Sequence, residues 1–247
     1  MVAMNKGGRM SSIFEPLILA AGSHKAGSGK GCAMNVISWE NGDVEITDFP
    51  ACSDPMLARL VQQVNDRLAG SNSLLSAEDS LVALELGHAT VGTSGHGLSD
   101  LDLRRVYVRV ACMIARKVVH LDASGTALPA IEAAEVWAKN PTEENFNTVK
   151  RVRDATYAYA YATYAHAHAA ADAATHAATH AAHAATHAAH AAAYAYAYAD
   201  ADADARKEFL IESTHAAIAM FKGLTGVEDS PVEPERAVEA YRKMVAV

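Results

Sequence analysis

The chain has 247 residues, with 21 Lys and Arg against 29 Asp and Glu and a formal net charge of −8. This acidic balance argues against general binding to nucleic acid or to anionic membranes, and no apolar run reaches the roughly 18 residues of a transmembrane helix. Three cysteines, Cys32, Cys52 and Cys112, with no CxxC spacing fit free thiols in a reducing cytoplasm better than a disulfide framework.

Residues 1–28 read as a flexible N-terminal segment, whose apolar stretch at 17–21 is too short for a signal-peptide core. The glycine-rich run from Gly22 to Gly31 invites a phosphate-loop reading, but that loop needs a glycine five residues before Gly29 and a hydroxyl after Lys30. His24 and Gly31 stand there instead, so a linker is the better reading.

Residues 29–140 read as a compact helical domain. Asp54-Pro55 pairs a capping residue with proline at the first helical position. Leu57, Leu60, Val61, Val64 and Leu68 then form one apolar stripe with Arg59, Gln62, Gln63 and Asp66 opposite, ending at Gly70. Ser76-x-x-Asp79 and Ser99-x-x-Asp102 resemble capping boxes. The second opens a helix carrying Leu103, Val106, Tyr107, Val110, Ile114 and Val118 at helical spacing. A further helix over 129–139 breaks at Asn140-Pro141, and Thr142 can cap the next. Asn41-Gly42 with alternating flanks is the one strand-like signal, a possible hairpin turn. Set against so many helical patterns, it leaves the fold class all-α.

Between Pro141 and Gly223 neither glycine nor proline occurs, so residues 141–222 read as a long Ala-rich helical region, either one helix or a hairpin. Residues 155–205 are more than half alanine, the best helix former, and 50 helical residues would span about 75 Å. His176, His180, His183, His187 and His190 are spaced 4, 3, 4, 3, with Thr175, Thr179 and Thr186 one position ahead. Tyr157, Tyr161 and Tyr164 start a similar column, and Tyr194, Tyr196 and Tyr198 alternate with alanine. Slippage and point mutation in a GC-rich repeat would generate this alphabet, since Tyr, His and Asp codons differ only in the first base. The specific chemistry expected is a contact surface made by Tyr157, Tyr161, Tyr164, Thr175, Thr179, Thr186, Tyr194 and Tyr198, because tyrosine gives large contact area at low entropy cost. His176, His180, His183 and His187 at i,i+4 spacing suit weak, adventitious Zn²⁺ or Ni²⁺ binding; one helix cannot close a structural site. The histidine column would also charge and repel itself below about pH 6. Residues 223–247, with Val238, Tyr241 and Val245, read as a C-terminal amphipathic helix that docks on the body.

No Ser/His/Asp or Cys/His arrangement stands out, and Cys32, Cys52, Asp48, Asp54 and His88 match no zinc signature. Arg104, Arg105, Arg109, Arg116 and Lys117 fall on one helix, where a solvated face paired with nearby acids is the default reading.

The run Gly31-Cys32-Ala33-Met34, then Gly42, Asp48, Pro50, Cys52, Asp54-Pro55 and Asn65-Asp66 is similar to a group of uncharacterised actinobacterial and actinobacteriophage helical proteins. That group carries a C-x-M…D-x-P-x-C-x-D-P…N-D motif and an Ala-rich helical tail. Val91-Gly92-Thr93 and Arg104-Arg105 match in order, whereas Asn35 stands where the group has Glu. The resemblance implies a helical fold and origin but no reaction.

These readings together give a non-enzymatic interaction or oligomerisation module with an unidentified protein partner or self-association, no membrane or nucleic-acid role and no cofactor. The alternative is a small-molecule or nucleotide-binding protein, with or without enzymatic activity, whose pocket gathers Cys32, Asp48, Cys52, Asp54 and Arg104/Arg105.

Overall fold

The computed structural model describes residues 16–121, 125, 127–152, 203–228 and 234–246. Among them the chain is all-helical, with no strand and two isolated bridges, Ala20 to Leu74 and Ser53 to Val91. In chain order the helices are α1 (Ala33–Asn41), α2 (Pro55–Leu68), α3 (Ala77–Ala89), α4 (Asp100–Val118), α5 (Ala127–Lys139), α6 (143–152), α7 (Ala203–Thr225) and α8 (Pro234–Ala246). Most of the Ala-rich tract, with its tyrosines, threonines and histidines, lies outside the described residues.

The helix starts follow local chemistry. The Asp54 side chain accepts from the amides of Met56 (2.9 Å) and Leu57 (3.3 Å) at the head of α2. Ser76 and Ser99 accept from Asp79 N and Asp102 N to open α3 and α4, and Thr142 accepts from Asn145 N before α6. Each such cap is worth about 1 kcal/mol. Gly42 sits in the left-handed region (φ 76°) and returns its amide to the last turn of α1. Asn41-Gly42 is therefore a helix stop, the role to which a glycine free of Cβ strain is suited, and not a hairpin turn.

One hydrophobic core runs through the body, with residues from Leu17 to Met244 in the same cluster. Helices α1, α2 and α3 pack on one another, α8 lies on α1, α4 on α5, and α7 lies across α2 and α4. Phe221 of α7 is fully buried, with its ring stacked on Tyr107 and edge-on to His96. Two parts differ from the sequence expectation. Leu17, Leu19 and Ala20, placed by sequence in a flexible leader, are buried, and Tyr241 of α8 donates to Ile18 O at 2.6 Å. The start of α7 belongs by composition to the Ala-rich region, yet Phe209, Leu210, Ile218 and Phe221 bring this helix back into the core, because burying such side chains is worth about 1.5–3 kcal/mol each.

Candidate functional site

The motif residues converge on two buried polar clusters. The first surrounds Asp48, only 6% exposed. Its carboxylate accepts from Asn35 Nδ2 (2.9 Å), Gln62 Nε2 (2.7 Å) and the Cys32 thiol (3.4 Å). Arg59 donates to Gln62 Oε1 at 2.9 Å, orienting that amide so that its nitrogen faces the carboxylate. Asn35 Oδ1 in turn accepts from Cys32 N and His24 N, both at 3.2 Å. Asn35, at the third position of α1, thus performs the backward reach of a capping box with a shorter side chain. Burial and the neighbouring Asp48 charge push the Cys32 thiol far above its ordinary value, which leaves it a hydrogen-bond donor and not a nucleophile.

Asn65-Asp66 at the end of the motif ties in the preceding loop. Asn65 accepts from Ala33 N (3.1 Å) and donates to Ala20 O (2.9 Å), and Asp66 accepts from Gly22 N (2.8 Å). Gln62 and Asn65 lie on the buried side of α2. The sequence pattern puts Gln62 on the solvent face; the correction follows from Asp48, whose buried charge needs donors.

The second cluster joins the Cys52–Pro55 turn to the loop after α3. Gly92 N and Ser94 N both donate to Cys52 O (2.8 and 3.4 Å), and Ser53 Oγ meets Thr90 Oγ1 at 2.8 Å. Thr93 Oγ1 accepts from Asp54 N at 2.8 Å while donating to Thr90 O at 2.6 Å. Gly92 itself takes φ 83°, a conformation that suits glycine in the Val91-Gly92-Thr93 motif. The other oxygen of Asp54 accepts from Tyr107 Oη at 2.6 Å. Burial raises Asp54 above the usual carboxylate range although Tyr107 and two amides pull it down, and burial beside Asp54 raises Tyr107 steeply.

The arginines stand elsewhere. Arg105 donates to Ala138 O (2.8 Å), Lys139 O (3.3 Å) and Asp102 (2.9 Å), clasping the end of α5. Arg116 pairs with Glu135 through two bonds of 2.6 and 2.7 Å. Arg104 is exposed. Among the described residues the side-chain hydrogen bonds of Cys32, Asp48 and Asp54 go to partners other than Arg104 and Arg105. Cys52 is half-buried, and Cys112 is buried with its thiol pushed up to about 12.

Two further charged contacts tie helices together. His88 of α3 approaches Glu40 of α1 at 3.2 Å without hydrogen-bond geometry. Burial, aided by the Arg236 guanidinium, holds its imidazole below the ordinary value. Lys207 of α7 forms an ion pair with Asp79 of α3.

Among the described residues no group of three His, Cys, Asp or Glu side chains could hold a metal ion, and no helix is long and apolar enough to cross a membrane. His176, His180, His183 and His187, with the eight tyrosines and threonines of the expected contact surface, lie outside the described residues. Sequence reasoning missed Asn35, Gln62, Thr90, Thr93 and Tyr107 as members of the clusters. Tyr107 carried a faint signal, as the only hydroxyl in the apolar stripe of α4. What the fold and these clusters define, among the described residues, is an all-helical body whose motif side chains cap helices and lock turns. Compared with known families, curated proteins and solved structures, the chain finds no match in any of the three.

Proposed function

We propose that this chain is a non-enzymatic helical protein that works by binding a protein partner or by self-association, with the Tyr/Thr/His-bearing Ala-rich tract as the contact surface. The observation that carries the reading is where the motif polar atoms go. Cys32, Asp48, Asp54, Asn65 and Asp66 each make hydrogen bonds to helix starts, turns or one another. Catalysis or ligand binding needs polar groups aimed into a cleft, whereas these are aimed into the packing between helices. The tract supplies a different chemistry: tyrosines separated by small residues, suited to broad contact surfaces. By the resemblance, the setting is the cytoplasm of an actinobacterium or of a phage-infected host.

The test compares the full chain with a variant in which Tyr157, Tyr161, Tyr164, Tyr194 and Tyr198 are all changed to alanine. Light scattering reads self-association, and capture from an actinobacterial lysate reads partners. Loss of dimer or of a captured protein in the variant supports the reading. A metabolite carried equally by both proteins, with no protein partner, overturns it in favour of a pocket.

A further inference from the structure

We propose that Asn41 is a deamidation site: its side-chain amide closes on the Gly42 nitrogen, and the aspartyl or isoaspartyl product releases the 42–51 loop from the end of α1. The inference stands apart from the partner-binding reading.

The sequence and the surface supply the reactants. Asn41 is the one asparagine of the chain followed by glycine, and both residues are exposed. Ring closure brings the backbone nitrogen of the next residue onto the asparagine Cγ, an approach that a side chain on that residue obstructs and glycine leaves open. Apart from its chain neighbours, nothing lies within 4 Å of the position a Gly42 Cβ would take. The Gly42 nitrogen adds to Asn41 Cγ, the Cγ–Nδ2 bond breaks, and ammonia leaves carrying the proton from Gly42 N. Water then opens the cyclic imide at either carbonyl, giving aspartate or isoaspartate. One water is consumed and one ammonia released, with no change of oxidation state.

The helix cap sets the rate. Gly42 N donates to Ser38 O and Trp39 O, and Asp43 N donates to Ser38 O at 3.2 Å. The leaving amide is held too, since Asn41 Nδ2 donates to the Asp43 carboxylate. Nucleophile and leaving group are therefore restrained by one cap, and reaction needs that cap to open. Helix ends fray, so opening there costs far less than global unfolding.

The same carboxylate gives the product its effect. Asp43 Oδ1 takes the Asn41 amide, while Oδ2 accepts from Ser38 Oγ (2.7 Å) and Ala51 N (3.3 Å), fastening the loop to α1. Deamidation replaces a donor to Asp43 by a second carboxylate, a like-charge contact at a helix C-terminus, where negative charge is disfavoured. The isoaspartyl form also adds one carbon to the main chain just before Gly42, which moves the capping amides off their carbonyls. Asp43 is pushed away, and Ala51 N loses its acceptor.

The experiment incubates the full-length protein in mildly alkaline buffer and follows the peptide containing Asn41 by mass spectrometry, with isoaspartyl methyltransferase labelling to score the isomer. Conversion is expected at Asn41 ahead of the exposed Asn72, and none in Asn41→Gln, whose ring would be one atom larger. Asp43→Ala should speed it about tenfold, the scale of one lost hydrogen bond. Wild type in denaturant, where the whole cap is gone and no variant has to fold, should react faster still. Hydrogen exchange reads the consequence: in Asn41→Asp, which carries the product's charge, the amides of Gly42, Asp43 and Ala51 should exchange about tenfold faster, again the scale of one hydrogen bond. An Asn41 that stays intact in the native protein overturns the proposal, as do equal rates with and without denaturant. Slower reaction in Asp43→Ala would make Asp43 a helper and refute the cap as the restraint. Unchanged exchange in both Asn41→Asp and the isolated isoaspartyl product would sink the release of the loop.

Discussion

Replacing Asp54 by alanine separates two contributions that the structure places on the two oxygens of one carboxylate. Oδ1 caps α2 through Met56 N and Leu57 N, and Oδ2 accepts from the Tyr107 hydroxyl at 2.6 Å. Losing the cap costs about 1 kcal/mol. Stranding the buried Tyr107 hydroxyl without an acceptor adds about 1–3 kcal/mol. Asp54→Ala is therefore expected to lower unfolding free energy by about 2–4 kcal/mol, read as a shift in urea midpoint followed by circular dichroism with the slope unchanged. Tyr107→Phe alone removes the donor and is expected to cost about 1–3 kcal/mol. In the double variant neither polar group is stranded, so the two losses should fall short of their sum by about 1–2 kcal/mol. Additivity to within about 0.5 kcal/mol would refute the view that this contact joins α2 to α4.

Asp48→Asn keeps the size of the side chain but turns one oxygen into a donor facing Asn35 Nδ2 or Gln62 Nε2. A loss of about 2 kcal/mol in chemical unfolding is expected, and a neutral result would show that the cluster does not depend on the carboxylate. His88 has its folded-state value depressed below 6.5, chiefly by burial. Its contribution is therefore intact above pH 6.5 and lost as pH falls from there, when the unfolded chain takes the proton first. His88→Gln should flatten the melting temperature against pH in that window, and an unchanged profile would argue that other groups carry the slope. Native thiol titration with a chromogenic disulfide should modify Cys52 first, because Cys32 and Cys112 are buried with raised thiol values. All three should react in denaturant, and rapid native labelling of Cys32 would contradict its place beside Asp48.

Helix starts were the most legible part of this chain. Asp54-Pro55, Ser76-x-x-Asp79, Ser99-x-x-Asp102 and Thr142 all open helices where their side chains meet amides two or three residues on. The apolar stripes of α2 and α4 were equally readable, since a 3.6-residue period marks a buried face without knowledge of what lies opposite. Gln62 was misplaced because periodicity ranks polarity, and a polar residue meets no penalty inside when a buried charge awaits it. Within the motif the Asp54 cap was legible, but the partners of Cys32, Asp48 and Asn65 were not: the same Cys, Asp and Asn letters suit a metal site, a pocket or a set of caps.

Composition and local spacing determined the helical class, the caps and the acidic, cysteine-poor character of the chain. Their interactions act within about four residues along one helix, so they are written locally. Only the tertiary structure decided that Asp48 meets Asn35, Gln62 and Cys32, that Asp54 meets Tyr107 across 53 positions, and that α7 returns to the core through Phe209, Ile218 and Phe221. Those partners are chosen by how the helices pack: a buried donor or acceptor is satisfied by whichever group the opposing helix brings within about 3 Å, and sequence separation places no limit on that choice.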